Sequence, residues 1–200
     1  MQFQEVVRGR RMVRRYRAAP VAAGTLERIL DTSLRGPSAG FAQGVHLVVV
    51  TDAERRAAIA RACGEPEHVR QGRDPWLSVA PVHVVLAVNP GDYRARYSEP
   101  DKSASTAPDD WPVPWWWVDG GAALMLLLLA ATDEGLGAGV LQIADRGAVR
   151  RLLGIPADVE PMILVTLGHA ADDPGPAGSA TRGRRPSAQT THRERFSLET

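Results

Sequence analysis

Cysteine is nearly missing from this sequence. Its 200 residues hold one, Cys63, which excludes an internal disulfide and any multi-cysteine zinc or iron–sulfur site. The five histidines show no HExxH or related spacing, so no metal site is expected. Lys102 is the only lysine among 24 basic residues, and the formal net charge is +1. Bulk charge therefore gives no ground for a nucleic-acid partner. GxxxxGK[ST] and GxSxG are absent, and GLGAGVLQIA lacks both the third glycine and the preceding strand of a dinucleotide fingerprint. Phosphate-loop, hydrolase-elbow and dinucleotide-fold chemistry all weaken together. The first 20 residues are polar and lack a signal core, which points to a cytoplasmic location. The longest apolar run, Ala122 to Ala131, is ten residues; as a helix it spans about 15 Å, against roughly twenty residues for a bilayer. No membrane partner is expected.

What is present reads as one globular domain over 1–200, with 44% apolar residues and a sizeable core. Leu26, Ile29, Leu30 and Leu34 recur at helical spacing within Thr25 to Arg35, and Gly36-Pro37 closes that helix. VHLVVVTD, APVHVVLAVNP and PMILVTLGHA are core strands buried on both faces. Further helices are predicted over Asp52 to Cys63 and Gln142 to Gly154, with a short one near the N-terminus and a helical piece around Tyr93 to Tyr97. Strands separated by helices give an α/β or α+β sandwich. Asp119 is the expected N-cap of the long apolar helix and Gly135 its stop. That helix is apolar all round, so it needs cover on every side, including another subunit. A polar insert or lid is expected at about 91–118, and a C-terminal extension at about 179–200.

Arginine crowds both ends, in RGRRMVRRYR and TRGRRP, and four of the five tryptophans sit in WPVPWWW. RRMVRRY, PSAGFAQ leading into a VVV strand, DGGAALMLLLLAATDEGLG, LGIP before a strand ending in LG, and RGRRP occur in this order. Together they resemble the FMN-dependent nitroreductase family over nearly the whole chain. The resemblance implies an α+β fold with a mainly antiparallel central sheet covered by helices, an intertwined homodimer, and FMN at the subunit interface.

It also implies roles for residues. Arg10, Arg11, Met12 and Arg14 would contact the phosphate and ribityl region, joined by Arg182 and Arg184 if the tail returns to the body. An arginine cluster suits a phosphate dianion because guanidinium forks pair with its oxygens. Pro37, Ser38, Ala39, Phe41 and Gln43 would line the flavin. The backbone at Gly137, Ala138 and Gly139 would approach the ring. The chain departs from the family at three places: Met12 replaces a common Ser, Phe41 an Asn, and Met125-Leu126 a polar pair.

The activity so implied is hydride transfer from a reduced nicotinamide, through flavin, to a small aromatic, quinone or enone acceptor. The cofactor carries that reaction, so no catalytic side chain is assigned. Trp111, Trp115, Trp116 and Phe41 are the expected substrate-pocket walls. RYSEPDK and the tryptophan run also resemble an actinobacterial branch linked to deazaflavin metabolism, in which Arg94, Arg96 and Lys102 would meet an acidic cosubstrate. A third possibility is a noncatalytic flavin-binding, dimeric interaction protein, favoured by the departures at Met12 and Phe41.

Overall fold

The computed structural model describes residues 1–171 and 181–196. Four strands, β1 (Val45–Val50), β2 (Val82–Val88), β3 (Gly137–Leu141) and β4 (Glu160–Gly168), form one sheet in the order β1-β2-β4-β3. Every neighbouring pair is antiparallel. β2 is buried along its whole length, as its unbroken apolar run predicts. The architecture is α+β, with helices on both faces of an antiparallel sheet.

The α-helices of the described residues are α1 (Phe3–Gly9), α2 (Ala23–Ser33), α3 (Ala53–Ala62), α4 (Glu65–Arg70), α5 (Pro90–Tyr97), α6 (Trp115–Asp133) and α7 (Arg146–Leu153). On one sheet face Val82, Val84, Val165 and Leu167 pack with Leu26 and Ile29 of α2 and Leu127, Leu128 and Ala131 of α6. That core continues through Leu86, Val88 and Ala123, with Trp116 and Trp117 against it. The opposite face joins Val85 and Leu164 to Ile59 of α3, Val149 of α7, Tyr16 and Trp76. Its buried polar groups include His83 and Thr166.

The α3 boundary follows from its cap: the Asp52 carboxylate accepts the Arg55 N–H at 2.9 Å. Asp145 does the same for α7 through the Ala148 N–H at 2.8 Å, so α7 begins later than the expected Gln142. α6 corrects the sequence expectation more strongly. It starts at Trp115 behind Pro114 and runs nineteen residues, almost twice the apolar run that pointed to it. Asp119 is therefore not its N-cap but lies one turn inside. The reason is tertiary, because the first turn places Trp116 and Trp117 against Leu86 and Val88. By length and composition α6 is apolar enough to cross a membrane; in this fold one side of it is seated on α2, β1 and β2.

Candidate functional site

Residues 10–17 leave α1 in extended form and lie beside β3. Met12 bridges Ala138, the Val13 N–H donates to the Ala138 carbonyl at 2.8 Å, and the Arg17 N–H to that of His169 at 2.9 Å. Tyr16 anchors the segment: its hydroxyl donates to the Val13 carbonyl at 2.9 Å and lies 2.7 Å from Thr166 Oγ1. Burial raises the Tyr16 pKa well above its ordinary value, so the phenol stays neutral. The arginine-bearing segment is thus fixed by backbone pairing and one buried tyrosine.

β3 was not expected as a strand, and its glycines explain both the omission and the site. A Cβ on Gly139 would stand 2.4 Å from the Val13 carbonyl oxygen and 2.7 Å from the Trp76 ring. One on Gly137 would stand 2.8 Å from the Val13 side chain. Only a bare strand lets the arginine segment come so close. Gly137 and Gly139 therefore make room for the chain itself as well as for any ligand along β3.

The arginines differ in their surroundings. Arg10 Nη1 is buried and has no hydrogen-bond partner, an unpaired donor of a kind that calls for an acceptor. The Arg14 guanidinium lies over the Trp76 ring at 5.7 Å. Arg15 pairs with Asp74 at 2.8 Å, and Arg11 and Met12 are exposed. Arg182 and Arg184 are exposed too, and no described hydrogen bond or ion pair ties them to Arg10 or Arg14. Trp76 was not singled out in the sequence, and neither was Glu65, whose carboxylate accepts the backbone N–H groups of Trp76, Leu77 and Ser78 at 2.8, 2.6 and 3.1 Å. The only local hint is a tryptophan after proline in RDPWLSVAP.

A second group of candidate residues occupies the loop from Pro37 to Gly44. Asp119, buried inside α6, accepts the Ala39 N–H at 2.9 Å and the Tyr93 hydroxyl at 2.7 Å on one carboxylate oxygen. Ser38 Oγ accepts the Gln43 N–H at 2.7 Å. Burial, then the hydrogen bond to Asp119, raises the Tyr93 pKa. The loop is pinned to α5 and α6 while its tip is strained: Phe41 and Gln43 adopt φ of 59° and 53°, a region L-residues seldom enter. Phe41 is 74% exposed, so the unfavourable backbone presents its ring outward. No described contact joins this loop to Arg10 or Arg14.

The expected pocket walls separate into two kinds. Trp111 packs edge-on against Tyr97 at 4.9 Å and Tyr93 at 6.2 Å, and lies 6.1 Å from Trp116. These rings anchor the insert to α5. Trp115 remains 47% exposed, like Phe41, and is free to meet another molecule. In the insert, Arg94 pairs with Asp109 and Arg96 with Asp101 and Glu99, and Lys102 lies over the Tyr97 ring at 5.4 Å. The arginines expected to meet an acidic deazaflavin cosubstrate are engaged within the chain. Two surface hollows lie elsewhere, beside Asp52, Arg55 and Arg61 and beside Val48, Leu152 and Gly154; they hold none of the candidate residues and stand apart from this chemistry.

The fold and these two residue groups define a class first: an α+β protein with an arginine-bearing segment paired to the edge strand of an antiparallel sheet. The chain matches the Nitroreductase family over residues 7–169 and belongs to that family, which makes it an oxidoreductase of the nitroreductase type. It is 32% identical over 177 residues to an NADH dehydrogenase of Thermus thermophilus, covering 84% of this chain and 86% of that protein. It is 29% identical over 203 residues to an FMN reductase [NAD(P)H] of Bacillus subtilis, covering 93% and 71%. Among solved structures, the hypothetical oxidoreductase YcnD from Bacillus subtilis superimposes with a TM-score of 0.78 at 24% identity, covering 100% of this chain and 76% of that one.

Proposed function

We propose that the protein holds FMN along β3 and the Pro37 to Gly44 loop. In that role it transfers a hydride from NADH or NADPH to a small oxidised aromatic, quinone or enone acceptor. The observation that carries this reading is the buried, unpaired Arg10 Nη1 on a segment fastened to β3. A phosphate oxygen supplies the acceptor that this donor lacks, so the residues present fit the cofactor. FMN, when bound, supplies the two-electron chemistry.

The chain's own part is binding and orientation. Arg10 and Arg14 hold the phosphate end, with Arg11 and Met12 beside them. Ser38, Ala39 and Gln43 set the loop against the flavin, and the β3 backbone at Gly137 to Gly139 bounds it from the sheet side. Phe41 and Trp115 offer flat apolar surface to the acceptor. No acid or base is required of the protein, in keeping with the neutral Tyr16 and Tyr93.

The working unit in this proposal is a homodimer. Trp115, Val118 and Met125 lie uncovered along one side of α6 at 47, 44 and 49% exposure. Neighbouring α1 adds Phe3 and Val7, and the residue closing α2 adds Leu34. A second copy laid on this surface would cover the stripe and bring a wall to the open side of the site.

Flavin absorbance of the purified protein, followed by anaerobic mixing with NADH and NADPH, tests the reading. The expected result is a yellow protein bleached by at least one donor. Bound flavin that neither donor reduces would leave the noncatalytic flavin-binding reading in its place.

A further inference from the structure

Trp76 lies between Arg14 and β3, within the arginine-bearing half of the proposed cofactor site. One part of its indole fills the space above Gly139, 2.7 Å from where a Cβ would stand. Arg14 lies over its ring at 5.7 Å. The ring is 5% exposed, so it spaces an exposed guanidinium from the middle of β3.

The loop that carries Trp76 is held by four side chains. Glu65, itself 8% exposed, gathers the N–H groups of Trp76, Leu77 and Ser78. The imidazole of His83, with Nε2 2.8 Å from the Leu77 carbonyl, donates to it from the sheet. Arg56 donates to the Ser78 carbonyl at 3.2 Å and also to that of Ala80. Asp74, two residues before the tryptophan, meets Arg15. With N–H and C=O groups both engaged, the indole has a fixed position, and a cation over its face inherits that position.

We infer that Trp76 is a positioning residue that holds Arg14 at the distance from β3 at which its guanidinium meets a flavin's phosphate, making the site selective for phosphorylated over unphosphorylated flavin. This rests on the FMN reading above. The indole is not a cofactor contact: it acts through Arg14.

The test compares FMN with riboflavin, which shares the ring and ribityl chain and lacks the phosphate, by fluorescence titration of flavin-stripped protein. Wild-type protein binds FMN more tightly than riboflavin. Trp76→Leu lowers FMN affinity roughly tenfold, the scale of a partly desolvated cation–π contact, and leaves riboflavin affinity within about twofold. Trp76→Tyr, which keeps an aromatic face, restores most of the preference and serves if the leucine variant does not fold. Because Trp76 acts through Arg14, Trp76→Leu adds nothing to the loss already caused by Arg14→Leu. Equal losses for both flavins in both Trp76 variants, or additive losses in the double variant, overturn the inference. Wild-type protein that binds neither flavin overturns the FMN reading itself, and the inference with it.

Discussion

Phe41 and His83 carry strain and charge in forms that single substitutions expose. The φ of 59° at Phe41 lies where Asn is tolerated and a bulky side chain is not. Phe41→Asn is expected to raise stability by about 0.5–1 kcal/mol, measured by urea unfolding, while changing acceptor preference; a loss of stability would show that the exposed ring is packed in solution. His83 is fully buried and its pKa falls to about 4, chiefly through burial. The folded protein then binds fewer protons than the unfolded chain between about 6.5 and about 4. Stability is full above that window and declines as pH falls through it, by about 3 kcal/mol in all. His83→Gln should flatten unfolding curves over this window, and an unchanged slope would assign the acid sensitivity to other groups. At this scale the sequence showed Asp119 as important and misread its work. A carboxylate before an apolar run looks like a cap; its partners, Ala39 and Tyr93, are distant in the chain.

β3 is the element on which the site depends, and also the one the sequence hid. GAGVL has too few β-branched residues to stand out, and its glycines are explained only by Val13 and Trp76, far away in sequence. Gly139→Ala puts a methyl group against the Val13 carbonyl. The expected outcome is about 1–3 kcal/mol of destabilisation together with weakened flavin retention, read from thermal unfolding and bound-flavin absorbance. Full retention of both would mean that residues 10–17 do not lie on β3 in solution. β1, β2 and β4 were legible because long β-branched runs need no partner to be recognised. α2 and α3 were legible from spacing and caps. From the sequence the tryptophan run falls in the insert before the helix, whereas Trp115 to Trp117 are its first turn, since sequence spacing does not reveal which rings the sheet will bury.

For the molecule as a whole, the uncovered side of α6 makes association the central question. Val118→Glu puts a carboxylate in the proposed interface, and the expected result is a monomer by sedimentation with a melting temperature that no longer rises with protein concentration. A dimer surviving this change would move the interface elsewhere. The candidate arginines and the Pro37 to Gly44 loop were each marked in the sequence, and α6 only as a helix needing cover all round. Their separation within one chain was not, because it depends on which surfaces the sheet leaves open. The sheet itself has two unlike faces: the strand side chains under α2 and α6 are apolar, whereas those under α3 and α7 include the buried His83 and Thr166, met there by Tyr16 and the Glu65 loop. Variation should therefore be unevenly tolerated, with exchange among Leu, Ile, Met and Val accepted on the first face, and near invariance on the second, where Tyr16, Glu65, Thr166 and the Nε2 of His83 answer to named partners. Drift among descendants of this chain would be recorded mainly on one side of the sheet.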